Sequence, residues 1–376
     1  MTGKERMAAA MRRERPDRVP VMCQMAIGHI CLKTGLSPVE IWHDPQVYAE
    51  SLLRTREMYG FDGILVSVPG GDPDWREKIA DTTEEPKGIR VRYSEAPLNR
   101  SPYAIGAEAS YPNDDLPQPA APEPFPAIDG LGIDEIDTLD PVPDWMLKNL
   151  RAVKASAGDE WSIHGETFSP FDKILELMGM QNGLISIVDD PAKTHQVLGK
   201  GLEYAANWGV AQAREGCDAM KISSPYVGNA FLSRDMYLEY VQPYEAELID
   251  RMREAAPEMP IYTHTCGAIS DRLELLADSG VDGIECLDPP PLGDVELSDA
   301  VARVGERIFI KGNIDSVNTL LFKKPDDVRA DVEEVCRAGM AADGFVLSTA
   351  CSIAPGVPQA HVRIVSDVAR EIGEYA

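Results

Sequence analysis

Eight short β-rich runs recur along the chain, and an amphipathic helical pattern follows each. They are "DRVPVMCQM" (17–25), "DGILVSV" (62–68), "WSIHGET" (161–167), "AMKISS" (219–224), "PIYTHTC" (260–266), "GIECLD" (283–288), "IFIKGN" (308–313) and "GFVLSTA" (344–350). The helical patterns include 37–60, 191–216, 234–256, 269–280, 325–339 and 358–376. A helix between successive strands lets them lie parallel, and eight such units are what a (β/α)8 TIM barrel requires. An open doubly wound sheet would want a glycine-rich first turn, and "AIGHICLKTG" after the first run is not that fingerprint. The reading is therefore one α/β domain spanning 1–376.

One region breaks the rhythm. Residues 69–140 contain "GGDPDWREK", "GIRVRYSEAP" and the Pro-rich "NDDLPQPAAPEPFPAIDG". They predict a β-hairpin and then an extended, polyproline-like segment, inserted after the second strand. An insertion there belongs over the C-terminal face of a barrel, either as a lid or as a structural strap.

Composition narrows the partners. With 62 acidic against 36 basic residues the net charge is −26, which argues against nucleic acid and anionic lipid. No apolar run approaches the roughly 20 residues of a membrane span, and the N-terminus shows no apolar signal region, so the expected location is cytoplasmic. Seven cysteines in such a chain do not suggest a disulfide framework. Cys23, Cys31, Cys217, Cys286 and Cys336 read as small core residues, leaving Cys266 and Cys351.

The stretch "MPIYTHTCGAI" (259–269) carries the chemistry. Strand residues two apart share a face, so His264 and Cys266 point the same way where the fifth run ends. Cys351, in "LSTACSIAPGVP", lies just past the eighth. In a barrel both places are at the mouth. An imidazole and two thiolates suit tetrahedral zinc, leave its fourth position open, and cancel its charge.

From "ERMAAAMRRERPDRVPV" to the C-terminus the chain resembles the uroporphyrinogen decarboxylase superfamily. The matching pieces are "RPDRVPV", "GCDAMKISSP", "YLEYVQPYEAEL", "YTHTCGAISDRLELLADSGVDGIECLD", "IFIKGNID" and "GFVLSTACSIAPGVP". The resemblance implies a (β/α)8 barrel. The superfamily's decarboxylases carry an arginine-bearing segment after the first strand, where this chain has "CQMAIGH". Its cobamide-dependent methyltransferases carry a His-x-Cys…Cys zinc motif, which His264, Cys266 and Cys351 match.

That branch implies methyl transfer between a small methylated substrate (an aryl ether, amine or thiol) and a corrinoid on a separate small protein. The chain has no Asp-x-His-x-x-Gly corrinoid signature of its own. The alternative is a metal-free tetrapyrrole enzyme or a non-catalytic tetrapyrrole-binding barrel. Position at strand ends adds further expectations. Glu166 is a fourth zinc ligand or a proton relay. Gln24, Tyr226, Asn229, Glu285 and Asn313 are substrate contacts. His29 and His164 read as structural, and Asp315 as the cap of a following helix.

Overall fold

The computed structural model describes residues 1–96, 103–105, 107–112 and 125–375. Its strands, in chain order, are β1 (Gly63–Leu65), β2 (Ile79–Glu85), β3 (Gly88–Tyr93), β4 (Tyr103–Ile105), β5 (Glu108–Pro112), β6 (Ser162–Phe168), β7 (Ala219–Ser223), β8 (Ile261–Thr265), β9 (Gly283–Cys286), β10 (Phe309–Ile314) and β11 (Phe345–Thr349). Seven of them form one parallel sheet in the order β1-β6-β7-β8-β9-β10-β11. Chain order and spatial order coincide, as right-handed strand–helix–strand crossovers produce.

The run 17–25, expected as the first strand, is not a ladder strand among the described residues. It makes isolated bridges, Val21 to Leu347 and Met25 to Ile353. Two prolines explain this in part, since Pro16 and Pro20 have no N–H to donate. The run still bonds to both edges of the sheet. Leu347 N–H donates to Pro20 O and Met22 N–H to Leu347 O on the β11 side. On the β1 side Asp62 N–H donates to Val21 O, and Val21 N–H returns a bond to Asp62 Oδ2.

Asp62 is also the anchor of the N-terminus. Its buried carboxylate takes Arg6 Nη1 at 2.6 Å and Arg18 Nη2 at 3.0 Å. Arg6 sits on the helix Gly3–Met11, which opens with a Thr2–Glu5 capping box. That helix packs Met7, Ala10 and Met11 against Ala219, Tyr262, Phe309 and Val346, so the N-terminal ends of the strands are covered by apolar side chains. The opposite, C-terminal ends are left for polar residues.

Alternation along the strands builds the two layers. Ile163, Ile222 and Ile261 turn outward and pack on Leu202, Ala206, Leu248 and Met252 of the surrounding helices. The expected helix 37–60 is two, Pro38–His43 and Pro45–Tyr59, because Asp44 caps the second through Gln46 N and Val47 N. Asp315 accepts from the N–H groups of Val317 and Asn318 in a turn, rather than capping a helix. No helix among the described residues is long and apolar enough to cross a membrane.

The expected hairpin in 69–140 is β2–β3, and it extends to a four-stranded antiparallel sheet in the order β2-β3-β5-β4. This sheet has its own small core, with Val91, Tyr93 and Tyr111 against Val39 and Trp75. His43 Nε2 lies 2.6 Å from Tyr111 Oη, tying the sheet to the helix Pro38–His43. Most of the expected polyproline-like stretch, 113–124, lies outside the described residues.

Candidate metal centre

The register of β6 to β10 sets the site. Glu166 pairs with Lys221 across β6 and β7. His264 pairs with Glu285 across β8 and β9, and Glu285 with Lys311 across β9 and β10. In a parallel sheet paired residues share a face, so five polar side chains form a ladder in the interior. All five are buried. Lys221 Nζ lies 2.8 Å from Glu166 Oε1 and donates to Gln24 Oε1 at 2.7 Å. Lys311 Nζ is in contact with Glu285 Oε1. Buried charges this close to opposite partners are what a low-dielectric interior tolerates.

His264 is the link from the ladder to the mouth. Its Nδ1 lies 3.0 Å from Glu285 Oε2, and its Nε2 lies 3.3 Å from Cys266 Sγ. Cys351 Sγ is 3.9 Å from Cys266 Sγ. Ligands around tetrahedral zinc stand about 3.6 Å (N to S) and about 3.8 Å (S to S) apart, from bond lengths of about 2.0–2.1 and 2.3 Å. The side chains are thus preset near metal-bound spacing. Burial lowers the pKa of His264, which keeps the imidazole neutral as a ligand must be. Hydrogen bonds from the Cys286 and Cys351 thiols hold the Cys266 thiol well below its ordinary value.

The glycine after Cys266 has a reason. Gly267 has φ +78, a conformation that residues with a Cβ seldom adopt. Its N–H donates to Asp288 Oδ2 at 2.7 Å, and Ile269 and Ser270 N–H donate to Asp294 Oδ1. The chain turns sharply just past His264 and Cys266 and is pinned there.

The other expected residues divide by position. Gln24 and Glu166 are engaged by Lys221. Glu285 lies beneath His264, 1% exposed, with its oxygens turned to His264 and Lys311 rather than to solvent. Asn313 Nδ2 donates to Leu287 O at 3.0 Å and Val295 O at 3.4 Å, so its amide is a brace for the segment after β9. Asn229 is exposed on the loop after β7, where its backbone N–H donates to Ala268 O. His164 lies between Ser162 Oγ and Tyr262 Oη, and His29 between Ala354 O and Tyr59 Oη, both structural.

Tyr226 opens onto a cleft of about 680 Å³ between the helices Pro170–Asp189 and Pro191–Arg214. Phe168, Asp172, Lys173, Tyr204 and Trp208 also line it. Burial raises the Tyr226 phenol pKa, and the charges of both Asp172 and Cys266 push it the same way.

Three residues of the site were not singled out from the sequence. Lys221 and Lys311 had a legible signal, a lysine inside an otherwise apolar strand run. Cys286, expected in the core, is indeed buried, yet its sulfur, Cys266 Sγ and a His264 ring nitrogen all lie within 4.8 Å of one another. No sequence pattern signals that.

The fold and the cluster define a parallel α/β protein with a His/Cys group at the C-terminal ends of its strands. The family model of uroporphyrinogen decarboxylase (URO-D) matches residues 2–68 and 99–372, and the chain belongs to that family. It is 26% identical over 231 residues to a uroporphyrinogen decarboxylase of Prochlorococcus marinus, a match spanning 60% of each chain. It is 23% identical, over a 387-residue alignment covering 98% of both chains, to the methylcobamide:CoM methyltransferase MtbA of Methanosarcina mazei. The solved structure of a methyltransferase from Methanosarcina mazei has the same fold, with a TM-score of 0.72 at 18% identity over 99% of each chain. The superfamily resemblance read from the sequence is borne out.

Proposed function

We propose that this chain is a zinc-dependent methyltransferase that moves a methyl group from a small methylated substrate to a corrinoid carried by a small partner protein. The observation that carries this reading is that His264 Nε2 and Cys351 Sγ stand 3.3 Å and 3.9 Å from Cys266 Sγ at the strand ends. The full-length likeness to a methyltransferase supports it. We also read the run 17–25, bonded to both edges of the sheet, as the eighth member that completes a (β/α)8 barrel.

When bound, zinc supplies Lewis-acid stabilisation of the sulfur or oxygen that loses the methyl group. The chain's own residues do the rest. Glu285 holds the His264 ring with Nε2 toward the sulfurs. The cleft beside Tyr226 has the size and aromatic walls to seat a small organic substrate. Glu166 belongs to the Lys221 pair, where it serves as a proton relay. Gln24 sets the other side of the same lysine.

Family membership alone would fit a decarboxylase equally well. The interior does not favour one. Its buried cations, Lys221 and Lys311, are each matched by a carboxylate, Glu166 and Glu285, and are not offered to a polycarboxylate.

The test has two parts. Purified protein should carry one zinc per chain, and Cys351→Ser should lose most of it while remaining folded. The zinc-loaded protein should then change the cobalamin spectrum with some member of a panel of methylated thiols, amines and aryl ethers. Loaded protein that moves no methyl group, given free cobalamin or a cognate corrinoid protein, would overturn the reading.

A further inference from the structure

Three sulfurs, not two, converge on His264. The third belongs to Cys286, the last residue of β9. Strand alternation should have turned it away. Glu285, its neighbour, faces the interior with His264 and Lys311, so residue 286 should point outward to the helices.

The backbone reverses that direction. Cys286 has φ +86 and Leu287 φ +57, two consecutive non-glycine residues in the left-handed region. Such a pair persists only where its surroundings hold it, and strain of this kind concentrates at functional sites. Here the surroundings are specific. The Asn313 amide grips Leu287 O at 3.0 Å. Gly312 lies so close that a Cβ there would come within 2.7 Å of Cys286 O. Asp288, next along, receives the N–H of Gly267 and so ties the turn after β9 to the turn after β8. Both turns that carry ligand candidates are braced against each other.

We propose that Cys286 is the fourth ligand of the resting metal site, which then holds zinc by one imidazole and three thiolates. The inference rests on the metal reading above and adds to it. A buried thiolate from beneath, with the half-buried Cys266 and Cys351 toward the mouth, closes the tetrahedron without water. Three thiolates leave the site with one net negative charge.

X-ray absorption at the zinc edge counts sulfurs directly and needs no variant. The parent should show three sulfurs at about 2.3 Å and one nitrogen. Cys286→Ser and Cys286→Ala should each show two sulfurs, and a chelator competition should find their zinc affinity at least tenfold lower. In cobalt-substituted protein the thiolate charge-transfer band should fall to about two-thirds, three thiolates becoming two. A parent with zinc that Cys351→Ser releases, but with only two sulfurs, overturns the role of Cys286 and leaves the metal reading standing. A parent that binds no zinc overturns both.

Discussion

His264 Nδ1 stands 3.0 Å from Glu285 Oε2, and the two residues are register partners across β8 and β9. The contact fixes the tautomer: Nδ1–H donates to the carboxylate, and Nε2 is left with its lone pair toward Cys266 Sγ at 3.3 Å. Glu285 is in turn held by Lys311. The ring's orientation is thus set by a chain of three strands rather than by a loop.

Glu285→Gln should therefore lower zinc affinity by about 10–100-fold without abolishing the fold. The substitution also removes the carboxylate partner of Lys311, whose pKa burial already pulls down to about 7, so stability falls as well. Adding Lys311→Met should restore stability but not affinity. Chelator competition and urea unfolding on both variants separate the two effects, and parent-like affinity in Glu285→Gln would show that the carboxylate does not orient the ring.

His264→Ala should cut methyl transfer by orders of magnitude even at saturating substrate, because the charge the site stabilises develops in the transition state. Trp208→Ala, in the cleft, should instead raise KM by about tenfold with little change in kcat, since it removes binding surface common to ground and transition states. The cobalamin spectrum under steady-state conditions reads both. A fall in kcat alone for Trp208→Ala would move the substrate out of this cleft.

Much of this was legible in advance, for a physical reason. The His264/Cys266 pair and Cys351 obey strand alternation and strand-end position, which depend on local sequence. Seven of the eight β-rich runs form the parallel sheet, six of them within two residues of their expected bounds and β1 ending three residues early. The run 17–25 does not form a ladder, because Pro20 interrupts its donors and the Val21 N–H goes to the side chain of Asp62. Cys286 was unreadable because its direction depends on a left-handed turn that neither residue's identity requires. Glu285 looked like a substrate contact because alternation gives the face and not the depth. Only the register with Lys311 shows that its carboxylate is covered.

The protein should not decarboxylate uroporphyrinogen. A substrate with many carboxylates needs unpaired cations, and the segment 23–29 contains neither arginine nor lysine. Gln24 is spent on Lys221. The net charge of −26 opposes approach of a polyanion. Porphyrin fluorescence after oxidation of the products checks this, and enzymatic turnover to coproporphyrinogen would reverse it.

Stability should fall as the solution is acidified from about pH 6.5 toward 4, and His29 should account for a measurable part. Burial lowers the pKa of His29 and of His43 to about 4, and of His164 to about 3. All three are almost wholly enclosed, at 0%, 2% and 0% exposure. In the unfolded chain a histidine titrates near 6.5. Between that value and about 4, the unfolded state binds protons that folded His29 does not, so its contribution is present above pH 6.5 and is lost on descending through the window. Buried Asp172 and Glu245 act with the opposite sign, since burial raises their pKa values and the folded state then binds the extra protons. The comparison must therefore be between parent and His29→Gln, whose amide can donate to Ala354 O as Nδ1–H does at 2.9 Å. From pH 7 to 4.5 the parent should lose roughly 2–3 kcal/mol more unfolding free energy than the variant. Urea midpoints at several pH values measure the difference, and parallel profiles would show that His29 is charged in the folded protein.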